Sequence, residues 1–304
     1  MNEKGTIQKE LFDEPLSSKF GGKISPNNKL NDLTGKEWTH FLCSVAVTAY
    51  STRGREGFSH SLRRAHPSPK PPLLMKEIIE FFTKEGQWVL DPFVGVGGSL
   101  FGCSLSKRNG IGIELEEKYI HVYHEVCKKE VVEEQTIIHG DSRDITKILK
   151  NSQKKNKKIP EKFDLILTDP PYANMMAKQR TATLKNGQKS TPFSNSTQDI
   201  GNLQLDEFLV QLKNIVKESL EFLKDGKYLI MFIKDMQPKE IHHNMLHADV
   251  VNKLLEIDDL KFKGYKIWFD KTQTLYPLGY PYAFVANQFH QFILVFKKES
   301  KIKK

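Results

Sequence analysis

Apolar and polar positions along the chain fall into alternating blocks. Seven short, nearly continuous apolar runs stand out: WVLDPF, GIGIEL, TIIHGD, FDLILTDPP, KYLIMFIKD, YKIWFDKT and FILVFKK. Their length and their content of aliphatic and aromatic residues predict strands of one sheet. Between most of them the apolar positions recur at helical spacing, notably over residues 99–107, 117–130 and 205–223. The early connections therefore read as strand–helix–strand crossovers, which makes the sheet mainly parallel. Upstream, residues 33–50 (LTGKEWTHFLCSVAVTAY) also show helical spacing, with Thr34 as the capping candidate. A proline-punctuated stretch then delays the next helix until Pro72, after which residues 73–82 are amphipathic.

The boundaries follow from where this pattern fails. Residues 1–32 are polar and aperiodic and read as an arm, residues 33–298 as a single domain, and residues 299–304 as a basic tail. Two stretches, 173–202 and 273–289, interrupt the alternation, and both follow predicted strands. Such loops sit where doubly wound sheets bind their ligands. A chain of 304 residues, 38% hydrophobic and 27% charged, can bury the core of one large α/β domain. No apolar run approaches the roughly 18 to 20 residues that span a bilayer, and MNEKGTIQKELFDEP is not built like a signal peptide, so a soluble, cytoplasmic protein is expected. Cys43, Cys103 and Cys127 form no CxxC pair and no histidines cluster near them, so neither a disulfide framework nor a metal site is expected. The formal net charge is +9, with lysines gathered in NSQKKNKKIPEK and KKESKIKK. That suits a polyphosphate partner and equally a solvated surface.

The first predicted strand runs into Asp91-Pro92-Phe93-Val94-Gly95-Val96-Gly97-Gly98-Ser99. Gly95, Gly97 and Gly98 allow a tight turn and a close approach of backbone to a ligand before a helix begins. The acid at the head of the loop departs from a dinucleotide fingerprint, where a phosphate would be repelled. S-adenosylmethionine carries an ammonium and a sulfonium and no phosphate, so Asp91 would face its methionyl end. Glu114, ending the second strand, is placed to accept the ribose hydroxyls, and Asp141, ending the third, to accept the adenine amino group. Each of these acids has a plain alternative as a helix or turn cap.

The fourth strand ends in Thr168-Asp169-Pro170-Pro171-Tyr172. An aromatic amine has its nitrogen lone pair delocalised into the ring. A carboxylate oxygen of Asp169 and the carbonyl of Pro170 would accept both amino hydrogens and turn the lone pair toward an electrophile. Tyr172 would offer a face for stacking the base. In isolation Pro-Pro-Tyr is as well a turn or a proline-rich ligand.

Taken together, these residues resemble the amino-methylating DNA methyltransferases, the adenine-N6 and cytosine-N4 family. DPFVGVGG matches the cofactor loop (Asp91, Pro92, Phe93, Gly95, Gly97 and Gly98), IEL the ribose acid Glu114, and TDPPY the catalytic motif of Asp169, Pro170, Pro171 and Tyr172. HPSPKP is similar to the family segment that closes over the methionyl group, which implies contact between Lys70 and the cofactor carboxylate. The resemblance implies a Rossmann-like class I methyltransferase fold, seven strands with an antiparallel last one. It further implies S-adenosylmethionine as cofactor, double-stranded DNA with a flipped base as substrate, and a possible cognate restriction enzyme as partner. Asp as first motif residue is more typical of adenine than of cytosine methylation. Three alternatives stay open: cytosine-N4 methylation, a tRNA guanosine amino-methyltransferase, and a catalytically silent subunit that binds nucleic acid. The short chain between Asp141 and Asp169 leaves no room there for a target-recognition domain, so recognition is expected from residues 173–202, the loop 276–289, the basic segment 51–64 or another protein. In that segment Arg53, Arg55, Arg63 and Arg64 are the candidate phosphate or base contacts.

Overall fold

The computed structural model of the chain describes residues 22–172, 194, 196–235, 245–272 and 288–300. Its centre is a sheet of eight strands: β1 (Val45–Thr48), β2 (Trp88–Asp91), β3 (Asn109–Glu114), β4 (Thr136–His139), β5 (Phe163–Thr168), β6 (Leu223–Ile233), β7 (Leu260–Asp270) and β8 (His290–Lys298). They lie in the order β1-β7-β8-β6-β5-β2-β3-β4. Every neighbouring pair is parallel except those of β8, which runs antiparallel to both β6 and β7. This is the Rossmann-like, doubly wound α/β arrangement expected from the strand and helix pattern.

The central strands read as unbroken apolar runs because both faces of the sheet are covered. On one face Val89, Leu165, Leu167, Ile230 and Phe232 meet helix α3 (Pro72–Phe82) through Leu74, Met75, Ile78 and Phe82. On the other, Leu90, Ile166, Leu229, Met231 and Ile233 share a core with α6 (Ile145–Lys155), α7 (Leu205–Glu221) and α8 (Leu246–Leu254). Helices α4 (Gly98–Leu105) and α5 (Glu117–Glu130) close the flank over β3 through Phe101, Tyr123 and Val126. The strand order reverses between β2 and β5, which pair directly. A crevice at the carboxyl ends of the strands is forced there, because the connections leave to opposite faces.

Two expectations need correction. The seven predicted strands are all present, but there is an eighth, β1, inside the stretch whose spacing read as one helix. Helix α1 covers only Gly35–Phe41, started by Thr34, whose backbone N–H and hydroxyl both donate to Glu37 Oε2 at 2.7 and 2.8 Å. After Cys43-Ser44 the chain extends, and Val45-Ala46-Val47-Thr48 pairs with Ile267 to Asp270. Alternation in a short β-branched run favours the strand, and the bond from Trp268 Nε1 to Thr48 Oγ1 at 2.8 Å secures it. The second correction concerns the arm. Residues 1–21 lie outside the described residues, but Asn31 is fully buried and its side chain donates to Phe81 O at 2.5 Å. Its Oδ1 accepts from Trp38 Nε1 at 2.9 Å, and Phe41 stacks on Phe81 with centroids 3.9 Å apart. The stretch before α1 is thus fastened to the domain.

The lysine run of residues 154–158 is exposed at the end of α6. Since α6 leads back to the start of β5, these cations lie at the edge of the sheet opposite Asp169, where they complement the carbonyl end of the helix. Of the C-terminal lysines, Lys298 is buried and donates to Leu220 O and Leu223 O at 2.6 and 3.0 Å, while residues 301–304 lie outside the described residues.

If the α7 face carries the core as described, Leu212→Ala, at a position 1% exposed, lowers stability by about 2–5 kcal/mol. Urea unfolding should show a lower midpoint with an unchanged slope; a loss under ~0.5 kcal/mol would contradict this packing.

Candidate active site

The loop after β2 is organised by Asp91. Its Oδ1 accepts the Phe93 N–H at 3.0 Å and the Thr168 hydroxyl at 2.9 Å, and its Oδ2 accepts the Ser99 hydroxyl. One carboxylate therefore ties the glycine loop, the first turn of α4 and the end of β5. Burial pushes its pKa up to about 6, against the lowering effect of those donors. Three of its acceptor positions are already used inside the protein, so Asp91 shapes the loop first and faces a ligand second. Gly97 has φ +83°, and a Cβ there would stand 2.2 Å from the Tyr123 ring, so no side chain fits at the start of α4. Gly95 has φ +55°.

At the end of β3, Glu114 Oε2 accepts the Gly95 N–H and Oε1 the Glu116 N–H, each at 2.8 Å. Each oxygen keeps a lone pair, the requirement for accepting a vicinal diol. Burial raises the Glu114 pKa to about 7, with the two backbone donors opposing. Asp141 realises its alternative reading as a cap: its side chain accepts the Arg143 N–H at 2.9 Å and pairs with the Arg143 guanidinium at 2.6 Å, while still lining the same cleft.

That cleft lies at the carboxyl ends of β2, β3 and β5. Lys70, Asp91, Pro92, Phe93, Gly95 and Gly98 line it together with Glu114, Asp141, Asp169 and Pro171, ten of the thirteen expected catalytic and cofactor residues; Gly97, Pro170 and Tyr172 are not among its lining residues. Sequence reasoning had not singled out Glu116, Tyr119, Asp199 or His66 as site residues, and all four line the cleft. Asp199 lies in the stretch expected to meet nucleic acid, but its carboxylate caps the turn Ile200–Asn202 beside the cofactor loop. The half-buried His66 ring packs edge-on to Tyr119 with centroids 4.8 Å apart. Burial lowers its pKa to about 3, which keeps it neutral at ordinary pH. The signal for His66 was its place in HPSPKP; Glu116 and Asp199 gave none, because isolated acids in turns are common.

At the end of β5 both oxygens of Asp169 are engaged. The Tyr172 hydroxyl donates to Oδ1 at 2.6 Å, and the Lys70 ammonium bonds Oδ2. Tyr172 is only 4% exposed and its ring joins the core with Phe208 and Leu212. The face expected to stack on a base is therefore turned inward here, and burial with the neighbouring Asp169 raises the phenol pKa well above its ordinary value. Lys70 meets Asp169, where contact with a cofactor carboxylate had been expected.

The basic segment divides. Arg63, at the end of the short helix α2 (His60–Arg63), is 2% exposed, and its guanidinium donates to Phe58 O, Lys70 O and Gly57 O at 2.8, 2.9 and 3.0 Å. A guanidinium spent on three carbonyls is not available to a phosphate, which corrects its assignment as a nucleic-acid contact. It braces Phe58 and Ser59, two non-glycine residues at positive φ, and ties this loop to the Lys70 segment. Arg53, Arg55 and Arg64 are exposed, on a loop that leaves the carboxyl end of β1 and so rises from the same edge of the sheet as Asp169. The insert residues 173–193 and 195, and 273–287 of the second loop, lie outside the described residues.

The model of a family described as DNA methylase, the N6/N4 methyltransferases, matches residues 2–125 and 163–304. The chain is 43% identical over 63 residues to the type II methyltransferase M.HpaI of Haemophilus parainfluenzae, covering 21% of this chain and 20% of that protein. It is 27% identical over 201 residues to a tRNA (guanine(10)-N2)-dimethyltransferase of Methanocaldococcus jannaschii, covering 58% and 52%. The first curated relatives are thus matched over only 20–28% of their own lengths. Among solved structures, TrmN from Thermus thermophilus aligns with a TM-score of 0.48 and 14% identity, over 79% of this chain and 52% of that one.

The raised Asp91 and Glu114 carboxyls give a signed pH dependence. Their folded pKa values, about 6 and about 7, exceed the ordinary 3.8 and 4.5, so the folded chain retains protons that the unfolded chain has lost. Their contribution to stability is full below the ordinary range and is lost as pH rises toward 7. Glu114→Gln should make the fall in unfolding free energy between pH 5 and 7.5 less steep, measured by urea denaturation at several pH values. An equal slope in both proteins would show that Glu114 titrates normally.

Proposed function

Because the chain belongs to the DNA methylase family of N6/N4 methyltransferases, we propose that it transfers a methyl group from S-adenosylmethionine to the exocyclic amino group of a DNA base, adenine N6 in preference to cytosine N4. The observation that carries this reading is the placement of Asp169 on the wall of the cleft that Asp91 and Glu114 also line. That joins an amine-accepting carboxylate to a cofactor site at the switch point of the sheet.

The donor set fits the cofactor. Asp91, Glu114, Glu116, Asp141, Asp169 and Asp199 line the cleft, against Lys70 as the single lysine or arginine among its described lining residues. Such a wall attracts a ligand bearing ammonium and sulfonium charge and repels a polyphosphate. Glu114 would hold the ribose, the loop Pro92 to Gly98 the methionyl portion, and Asp141 the adenine edge. Bound there, S-adenosylmethionine supplies a methyl group on a positively charged sulfur, a strong electrophile that needs no activation.

What remains for the protein is to present the amine. Asp169 accepts one amino hydrogen and the rigid Pro170 carbonyl the other, which draws the nitrogen lone pair out of conjugation and aims it into the cleft. As the nitrogen becomes cationic, the Asp169 carboxylate stabilises the growing charge, and the proton is then lost without a strong base. A base paired within a duplex must leave the stack to reach Asp169, at a cost of a few kcal/mol. Presenting the Tyr172 face to it requires the ring to turn outward from the core. Arg53, Arg55 and Arg64 stand on the same edge of the sheet and would meet the phosphates. The likeness to a tRNA guanine dimethyltransferase supports a second reading, in which the amine belongs to an RNA guanine.

Asp169→Ala should abolish methyl transfer yet leave S-adenosylmethionine binding measurable by calorimetry; retained turnover would remove Asp169 from the chemistry. Glu114→Ala should weaken cofactor binding by about 1 to 3 kcal/mol through lost bonds to a charged acceptor. An unchanged dissociation constant would place the ribose elsewhere.

A further inference from the structure

We propose that Lys70 is a positioning residue for Asp169: its ammonium holds the Asp169 carboxylate in the cleft and serves that acid, not the carboxylate of the cofactor. The inference rests on the reading of Asp169 as the amine acceptor. Lys70 is built into both halves of the site. Its backbone carbonyl accepts the Arg63 guanidinium at 2.9 Å, and its Cβ presses against the glycine loop, where a Cβ on Gly98 would lie 3.2 Å away. The side chain then crosses to Asp169 Oδ2, with its ammonium 5.1 Å from the Phe232 ring centroid. The Lys70 side chain is 5% exposed and that of Asp169 15%, so the pair is largely withdrawn from water. Tyr172 donates to the other oxygen, and the carboxylate is gripped at both ends.

The charges around the pair explain why a cation is needed. Asp169 faces Asp91 across β2 and β5 and Tyr172 on its own segment, in a cleft whose other described titratable walls, His66 apart, are acidic or phenolic. Among the described residues no cation is in contact with Asp91 or Glu114, and both are pushed toward the protonated form. An amine acceptor must keep its charge. A lysine aimed at it meets that need, and one drawn away to a cofactor carboxylate would not.

The two assignments predict different outcomes for one measurement. If Lys70 serves Asp169, Lys70→Met leaves an uncompensated carboxylate beside the cofactor's sulfonium. Calorimetry should then show S-adenosylmethionine binding unchanged or several-fold tighter, and any gain should vanish in the Lys70→Met/Asp169→Asn double variant. In the same protein kcat at saturating cofactor should fall about 100-fold through misplacement of the acceptor, and Lys70→Arg should recover part of it. Cofactor binding weakened about tenfold or more by Lys70→Met would overturn the proposal, since that is the loss expected when a carboxylate ligand is removed. Unchanged affinity together with unchanged kcat would also overturn it. The binding arm needs no methyl acceptor. If the unaltered protein methylates no nucleic acid, the functional reading fails on its own, and the sign of the affinity change still decides which carboxylate Lys70 serves.

Discussion

The site depends on one buried carboxylate. Asp91 accepts from Phe93, Ser99 and Thr168, and so fastens the cofactor loop, the helix behind it and the strand that ends in Asp169. Desolvation makes such a charge costly, as its raised pKa shows, and hydrogen bonds from three directions offset that cost. It sits where β2 and β5 pair and where the connections leave for opposite faces, so the crevice opens directly above it. Loop, helix and β5 cannot shift independently while that carboxylate is in place.

Around this anchor the charges are distributed by task. Glu114 stands at the end of β3 with one lone pair left on each oxygen. Asp169 stands at the end of β5 with a lysine and a phenol on its oxygens. A neutral His66 and the aromatic ring of Tyr119 line the same cleft without adding charge. The acidic cleft and the exposed arginines on the loop from β1 are kept apart on one chain, and Arg63 joins the two by bracing that loop against the carbonyl of Lys70.

Much of this was legible because strand ends and glycine turns leave local marks. The unbroken run FDLILT announced a strand buried on both faces, and all six of its residues are buried. The three acids at successive strand ends met in one cleft for the same reason: parallel strands deliver their carboxyl ends to one edge. What escaped was decided by tertiary partners. Val45 to Thr48 satisfied a helical period by accident, and only the open edge of β7 made it a strand. Arg63 sat among arginines that look alike in sequence, and its burial comes from three carbonyls that converge only in the folded loop. The inward turn of Tyr172 and the bond from Lys70 to Asp169 span contacts that no spacing rule reaches.

The central claim is that the Asp169 end of this cleft presents an exocyclic amine to the methyl group of S-adenosylmethionine. The most direct test incubates the protein with double-stranded DNA, and separately with tRNA, in the presence of S-adenosylmethionine carrying an isotope-labelled methyl group, followed by mass spectrometry of the released nucleosides. The account predicts label in N6-methyladenine from the DNA. Label on a ring carbon or a ring nitrogen, or in no nucleoside at all, would contradict it.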